Sequence, residues 1–199
     1  MSGFNVHTGR IAVYAADQVD TDRIIPARFL SRVSRFGYGE LLFNDVRGGD
    51  FPLDQPEAQG ASVLVAGTNF GCGSSREHAV WAIQQAGFQA VIAKKLADSP
   101  GYSDIFRGNA GNCGLLLAEL PEEQHAKLVT AGSGAEVTID LPRQKVILNR
   151  EEFHFDISPA TKEQLLAGED LAGTTLRHVE KINEFEKEWS SFAPKPVTP

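Results

Sequence analysis

Cysteine is nearly missing from this chain: its 199 residues contain two, Cys72 and Cys113. Two are too few for the disulfide framework of a small secreted domain, and a reduced, cytoplasmic setting is the simplest expectation. A structural zinc or an iron–sulfur cluster takes three or four clustered ligands, often at Cys-x-x-Cys spacing. No metal site is therefore expected here, and both cysteines read as small, half-buried packing residues. Basic runs are also missing, and a net charge of -7 argues against nucleic acid or an anionic membrane as partner. No apolar run approaches the roughly 20 residues that span a bilayer. The start, Met1-Ser2-Gly3-Phe4-Asn5, lacks the charged-then-apolar pattern of a signal peptide. No Gly-Lys-Ser/Thr phosphate loop occurs anywhere.

What is present centres on Gly67-Thr68-Asn69-Phe70-Gly71-Cys72-Gly73-Ser74-Ser75-Arg76-Glu77-His78. The apolar run 61–66 before it has the length of a buried strand. After it, Ala79, Val80, Ala82, Ile83 and Ala86 recur at helical spacing until Gly87. The stretch is thus a strand, a glycine-rich turn and a helix start. Glycines allow sharp turns and close backbone approach, and the unpaired amides of a helix start attract anions. Arg76 adds a planar, permanent cation suited to carboxylate or phosphate. The simpler reading is a capping box, Ser74-x-x-Glu77, in which two side chains satisfy backbone donors. It accounts for Ser74 and Glu77, but not for the glycines, Ser75 or Arg76. The dinucleotide fingerprint fails, since Arg76 stands where its third glycine belongs.

Around this turn the chain reads as one α/β domain, with a mostly parallel core sheet, an antiparallel meander and C-terminal helices. Residues 9–14, 61–66, 90–93 and 115–118 are expected strands. Helices are expected at 75–86 and 103–110 and after Pro121, where Glu122 and Glu123 suit the helix dipole. Apolar strands without alternation fit a sheet covered on both faces. After Gly132 the period becomes two through Val137, Ile139 and Leu141, then Val146–Leu148 and Phe153–Ile157. Ser158-Pro159 opens a helix closed by Gly168. A last helix lines up Leu176, Val179, Ile182, Phe185 and Trp189, and about 190–199 is a frayed tail. Residues 44–60 read as a surface loop that covers the site or meets a partner. Arg28, Arg32 and Arg35 read as a solvated helix face or the entrance for an acidic substrate. Asp20 and Asp22 read as an aspartate-built turn rather than a calcium loop. His154 and His178 read as surface or packing residues, and His78 as one that orients the turn.

Asn69–His78 resembles the signature of the aconitase superfamily's swivelling β/β/α domain. Val19-Asp20-Thr21-Asp22-Arg23-Ile24-Ile25-Pro26-Ala27-Arg28-Phe29-Leu30 resembles the upstream motif of the isopropylmalate isomerase (3-isopropylmalate dehydratase) small subunits. Residues 104–110 and Thr175-Leu176-Arg177-His178 are similar to further segments of that family, so the resemblance spans nearly the whole chain. It implies a lyase of leucine biosynthesis, active only with a large subunit, as heterodimer or heterotetramer. That subunit carries the [4Fe–4S] cluster, which agrees with the cysteine shortage. The reaction implied interconverts 2- and 3-isopropylmalate through an alkene diacid by loss and re-addition of water. By resemblance Ser74 is the proton-abstracting base, and Asp22 an acidic residue on the hydroxyl-handling side. Ser75 and Arg76 hold a substrate carboxylate, and Thr21 is a further substrate contact. Leu30 and Val33 would receive an isopropyl group, whereas Arg28 and Arg32 would favour a third carboxylate. Alternatives are the small subunit of a related hydro-lyase (homoaconitase, dimethylmalate or citraconate-type dehydratase) and a non-catalytic carboxylate-binding module. A nicotinamide-dependent oxidoreductase stands well behind these.

Overall fold

The computed structural model describes residues 3–74 and 76–189. Seven strands form one sheet: β1 (Val6–Tyr14), β2 (Val63–Ala66), β3 (Ala90–Lys95), β4 (Leu116–Pro121), β5 (Glu136–Asp140), β6 (Lys145–Leu148) and β7 (Glu151–His154). Their order is β4-β3-β2-β1-β5-β6-β7. From β1 through β2 and β3 to β4 every pair is parallel, with Ile11 opposite Val63 and Val63 opposite Ala90. On the other side β1 pairs antiparallel with β5, which continues to β6 and β7. The expected parallel core and meander are both there, fused edge to edge through β1. This fusion is possible because β1 has nine residues: Ile11–Tyr14 pair with β2 and Val6–Arg10 with β5.

Among the described residues there are also seven α-helices: α1 (Thr21–Ile24), α2 (Glu77–Gln85), α3 (Asp104–Cys113), α4 (Glu122–Ala131), α5 (Pro159–Ala167), α6 (Leu171–Leu176) and α7 (Val179–Trp189). Strand β2 is buried at all four positions, as a strand covered on both faces must be. One face carries Ala12, Tyr14, Leu64, Ala66, Val91 and Ala93, packed on α2 and on Phe106 and Ala110 of α3. The opposite face carries Ile11, Val63, Val65, Ile92 and Ala118, covered by Leu128 of α4, the meander and Leu165 of α5. Helix ends follow local chemistry. Ser103 and Ser158 cap α3 and α5 through their hydroxyls, and Gly114 and Gly168 close them in the left-handed conformation.

Several expectations need correction. The arginine-rich segment after Pro26 is not a helix face: only Ala27–Phe29 make a 3₁₀ turn, and Val33 and Phe36 stand in solvent. A single amphipathic turn with nothing to pack against does not meet the cost of helix nucleation. Residues 44–60 are not merely surface. Phe51, Leu53 and Ala58 are buried, Phe51 with its ring 5.2 Å from Tyr14 and 5.6 Å from Phe43. The single last helix is two, α6 and α7, separated at Arg177 and His178, where Arg177 pairs with Glu163 and Glu169. Leu176, Val179 and Phe185 are exposed. His154 does meet a carboxylate, Asp156 at 3.4 Å, but both are exposed. The tail at 190–199 lies outside the described residues.

His125 of α4, unremarkable in the sequence, is buried, with Nε2 2.7 Å from the Ala66 carbonyl oxygen at the end of β2. Burial lowers its pKa from 6.5. The unfolded chain therefore takes up a proton that the native chain resists. The His125 contribution to stability is full above pH 6.5 and is lost as pH falls through the depressed native value. Urea midpoints measured across this range should fall toward acid, and should fall less steeply in His125→Asn, whose stability at pH 8 drops by about 1–3 kcal/mol for the lost bond.

Candidate active site

The glycine-rich turn leaves β2 at the carboxyl edge of the parallel strands, where open α/β sheets place their ligands. It is held from three directions. From the β1 side, Asp17 Oδ1 accepts the Thr68 amide (2.8 Å), Gln18 Oε1 accepts the Asn69 side-chain amide (2.7 Å), and Val19 O accepts the Gly71 amide (2.8 Å). The Asp17 carboxyl is held below its ordinary pKa, first by the Thr68 amide and further by Lys94. From the loop after β3, the carbonyls of Pro100 and Gly101 accept the amides of Asn69 and Phe70, each at 2.8 Å. Tyr102, fully buried, anchors that loop by donating to the carbonyls of Val91 and Ala118. From α3, the Ser103 hydroxyl donates to Gly71 O at 2.7 Å.

Gly71 has φ +75° and lies against Phe106, so closely that a Cβ there would fall within the Phe106 ring. This residue must be glycine on both counts. Gly73, at φ +82°, opens the last corner before Ser74.

The second motif crosses the first. Thr21 N donates to Cys72 O at 3.0 Å, and Asp20 caps α1 by accepting from the Arg23 amide at 2.7 Å. The aspartate-turn reading of Asp20 is therefore right. The apolar residues Val19, Ile24 and Ile25 are fully buried, which leaves Asp22 exposed above them. Asp22 Oδ1 and Arg76 Nη1 form an ion pair, so two motifs 54 residues apart meet side chain to side chain.

Ser74, two residues before Arg76 in the chain, is exposed. The capping box does not form: Arg76 occupies the N-cap of α2, with no side-chain cap bond. Glu77 Oε1 instead accepts the Cys113 thiol at 3.4 Å. Ser75 lies outside the described residues. Thr21 is fully buried, its hydroxyl without a hydrogen-bond partner among the described residues, beneath the turn rather than at its mouth. Leu30 is half-buried and Val33 fully exposed, on the segment that follows α1. His78 packs edge-on against Tyr38 and Trp81, a structural place behind the turn.

Neither thiol is activated. Burial, then Asp20, raises the Cys72 pKa, and burial, then Glu77, pushes Cys113 up to about 12. Among the described residues no group of three or more His, Cys, Asp or Glu could hold a metal ion. The residues missed in the sequence are supports: Asp17, Ser103, Phe106 and Tyr102. Only Ser103, three residues before Phe106 at a helix start, carried a sequence signal, that of an N-cap.

A family model described as the Aconitase C-terminal domain matches residues 1–123, and one described as LeuD_N matches residues 124–159. The class is thus that of the aconitase C-terminal domains. Curated relatives named 3-isopropylmalate dehydratase small subunit come from Methylibium petroleiphilum (45% identical, 94% of each chain), Corynebacterium jeikeium (44%; 99% of this chain and 98% of that one) and Bacillus cereus (37%; 96% and 100%). The crystal structure of 3-isopropylmalate dehydratase (leuD) from Methanocaldococcus jannaschii aligns with a TM-score of 0.64 at 30% identity, over 92% of this chain and 98% of that one. The chain belongs to the family of 3-isopropylmalate dehydratase small subunits.

Replacing Gly71 with Ala tests how strictly the turn is built. The side chain meets both a forbidden φ and the Phe106 ring, so thermal melts should show a loss of about 2–4 kcal/mol. A neutral Gly71→Ala melt would contradict the geometry.

Proposed function

We propose that this chain is the small subunit of a 3-isopropylmalate dehydratase. In this reading it interconverts 2-isopropylmalate and 3-isopropylmalate together with a large subunit that carries the iron–sulfur cluster. The observation that carries the reading is the Asp22–Arg76 ion pair, which joins the two motifs on a braced turn that also leaves Ser74 exposed. The curated relatives support the substrate by name. Two cysteines are fewer than the three or four thiolates a cluster takes, and no group of three or more His, Cys, Asp or Glu gathers among the described residues, which supports a cluster held by the partner. A heterodimer or a heterotetramer would equally complete the site.

Ser74, as its alkoxide, removes the proton from the carbon next to a carboxylate. The hydroxyl on the adjacent carbon departs as hydroxide and becomes water by taking up the proton that the serine hydroxyl had given to solvent. Re-addition of water with the opposite regiochemistry, Ser74 returning the proton, gives the isomer. The Lewis acidity that draws off the hydroxyl comes with the large subunit's cluster. A serine hydroxyl is a weak base, so its alkoxide needs positive potential. Arg76, two residues on, is the one arginine or lysine of residues 67–78, and it supplies that potential once a substrate carboxylate has displaced Asp22 from part of its fork. Closure against the partner excludes water and strengthens this potential. Arg76 receives a substrate carboxylate, with Asp22 fixing its fork, and Ser75 assists. Leu30 and Val33 present apolar surface for the isopropyl group. Arg28 is already paired with Asp45 and lies over Phe29, 4.5 Å from its ring centre. Arg32 donates to Gly37 O at 3.0 Å. Both have partners in the free chain, as Arg76 does, so the preference for a branched diacid over a tricarboxylate is supported by the relatives' names.

The test is reconstitution with the large subunit under anaerobic conditions and an alkene-absorbance assay on isopropylmalate. Ser74→Ala should reduce kcat by several orders of magnitude with KM little changed, because the lost group acts on the transition state. Its exposure predicts an unchanged melting temperature. Full turnover in Ser74→Ala would remove the serine from the chemistry.

A further inference from the structure

A second cavity, of about 380 Å³, opens between α3, β4 and α5, and neither Ser74, Asp22 nor Arg76 lines it. Its size is at the small-molecule end of ligand sites. The walls are aliphatic: Leu115, Leu117 and Leu165 are each no more than 9% exposed, and Ile157 completes them. No lining residue is aromatic, which leaves nothing for a nucleobase to stack on. The polar rim carries both signs of charge. Arg107, its side chain 41% exposed, gives Nη2 to Glu119 Oε1 at 2.9 Å. Asp156, 90% exposed and 3.4 Å from His154 Nε2, lines the same cavity. With one guanidinium on the rim, the cavity is not equipped for a polyphosphate.

These charges select among small aliphatic ligands. A simple carboxylate would meet Arg107 but also the carboxylates of Glu119 and Asp156. A simple amine would meet Asp156 but also the guanidinium. A molecule bearing both groups next to a branched hydrocarbon satisfies the whole rim. We infer that this cavity binds a small aliphatic α-amino acid, its side chain among Leu115, Leu117, Ile157 and Leu165, its carboxylate on Arg107 and its ammonium on Asp156. The site is separate from the hydro-lyase centre and does not rest on the function proposed for that centre.

The experiment titrates the full-length chain, alone and in complex with its large subunit, with L-leucine, 4-methylpentanoate (no ammonium) and 3-methylbutylamine (no carboxylate), followed by calorimetry. Leucine should bind saturably in both states, and each analogue should bind about tenfold or more weaker, the scale of one charge-assisted hydrogen bond. Asp156→Asn, at an exposed position that does not threaten folding, should weaken leucine by a similar factor while leaving 4-methylpentanoate no weaker. Arg107→Gln should weaken leucine and spare the amine. Three outcomes each overturn the inference: no saturable leucine binding at millimolar concentration, equal affinity for all three probes, or binding to the lone chain that disappears on assembly, which would make the cavity a subunit contact.

Discussion

The contact between the Phe106 ring and the bare Cα of Gly71 is the constraint on which the rest of this molecule turns. It brings the start of α3 against the loop leaving β2, and it sets where that loop must bend next. Phe106 is itself wedged between Phe70 at 5.6 Å and Tyr102 at 6.2 Å, ring centre to ring centre. Three aromatic rings thus form a dry floor, and the hydrogen bonds from Ser103, Pro100 and Gly101 fix the backbone above it. Such a floor converts hydrophobic packing, which is not directional, into a defined position for the few polar atoms at the surface.

On this floor the two motifs divide the labour. The Val19–Ile25 segment drives its apolar residues into the core and leaves its aspartates outside, one capping a short helix and the other paired with Arg76. The glycine-rich segment gives up its own helix cap. Arg76 stands where a capping serine would serve α2, so the serine stays available to solvent. Local helix stability is lower than the sequence allows, and the difference is recovered by packing Ala79, Val80, Ala82 and Ile83 beneath.

Much of the fold was legible because it is written in short-range patterns. Four unbroken apolar strands, the switch to a two-residue period at Val137 and the Ser158-Pro159 helix start were each found within a residue or three of where they occur. What was not legible depends on distant partners. Nothing near residue 51 says that Phe51 lies against Tyr14 and Phe43, nor does the spacing around Val33 reveal that no surface waits to receive it. The capping box shows the same limit: Ser74 and Glu77 have the right spacing, but Glu77 is drawn to Cys113 of another helix. Of the candidate site, the residue types were readable and their resemblance named their roles. The pairing of Asp22 with Arg76 needed the fold, as did the discovery that Thr21 is buried under the turn.

The Asp22–Arg76 pair also sets an electrostatic threshold. In the free chain the guanidinium is already neutralised, so any second carboxylate reaching it exchanges one anion for another and gains little electrostatic energy by doing so. Occupancy of that corner is decided by what separates the two side chains, not by the charge of the arginine alone.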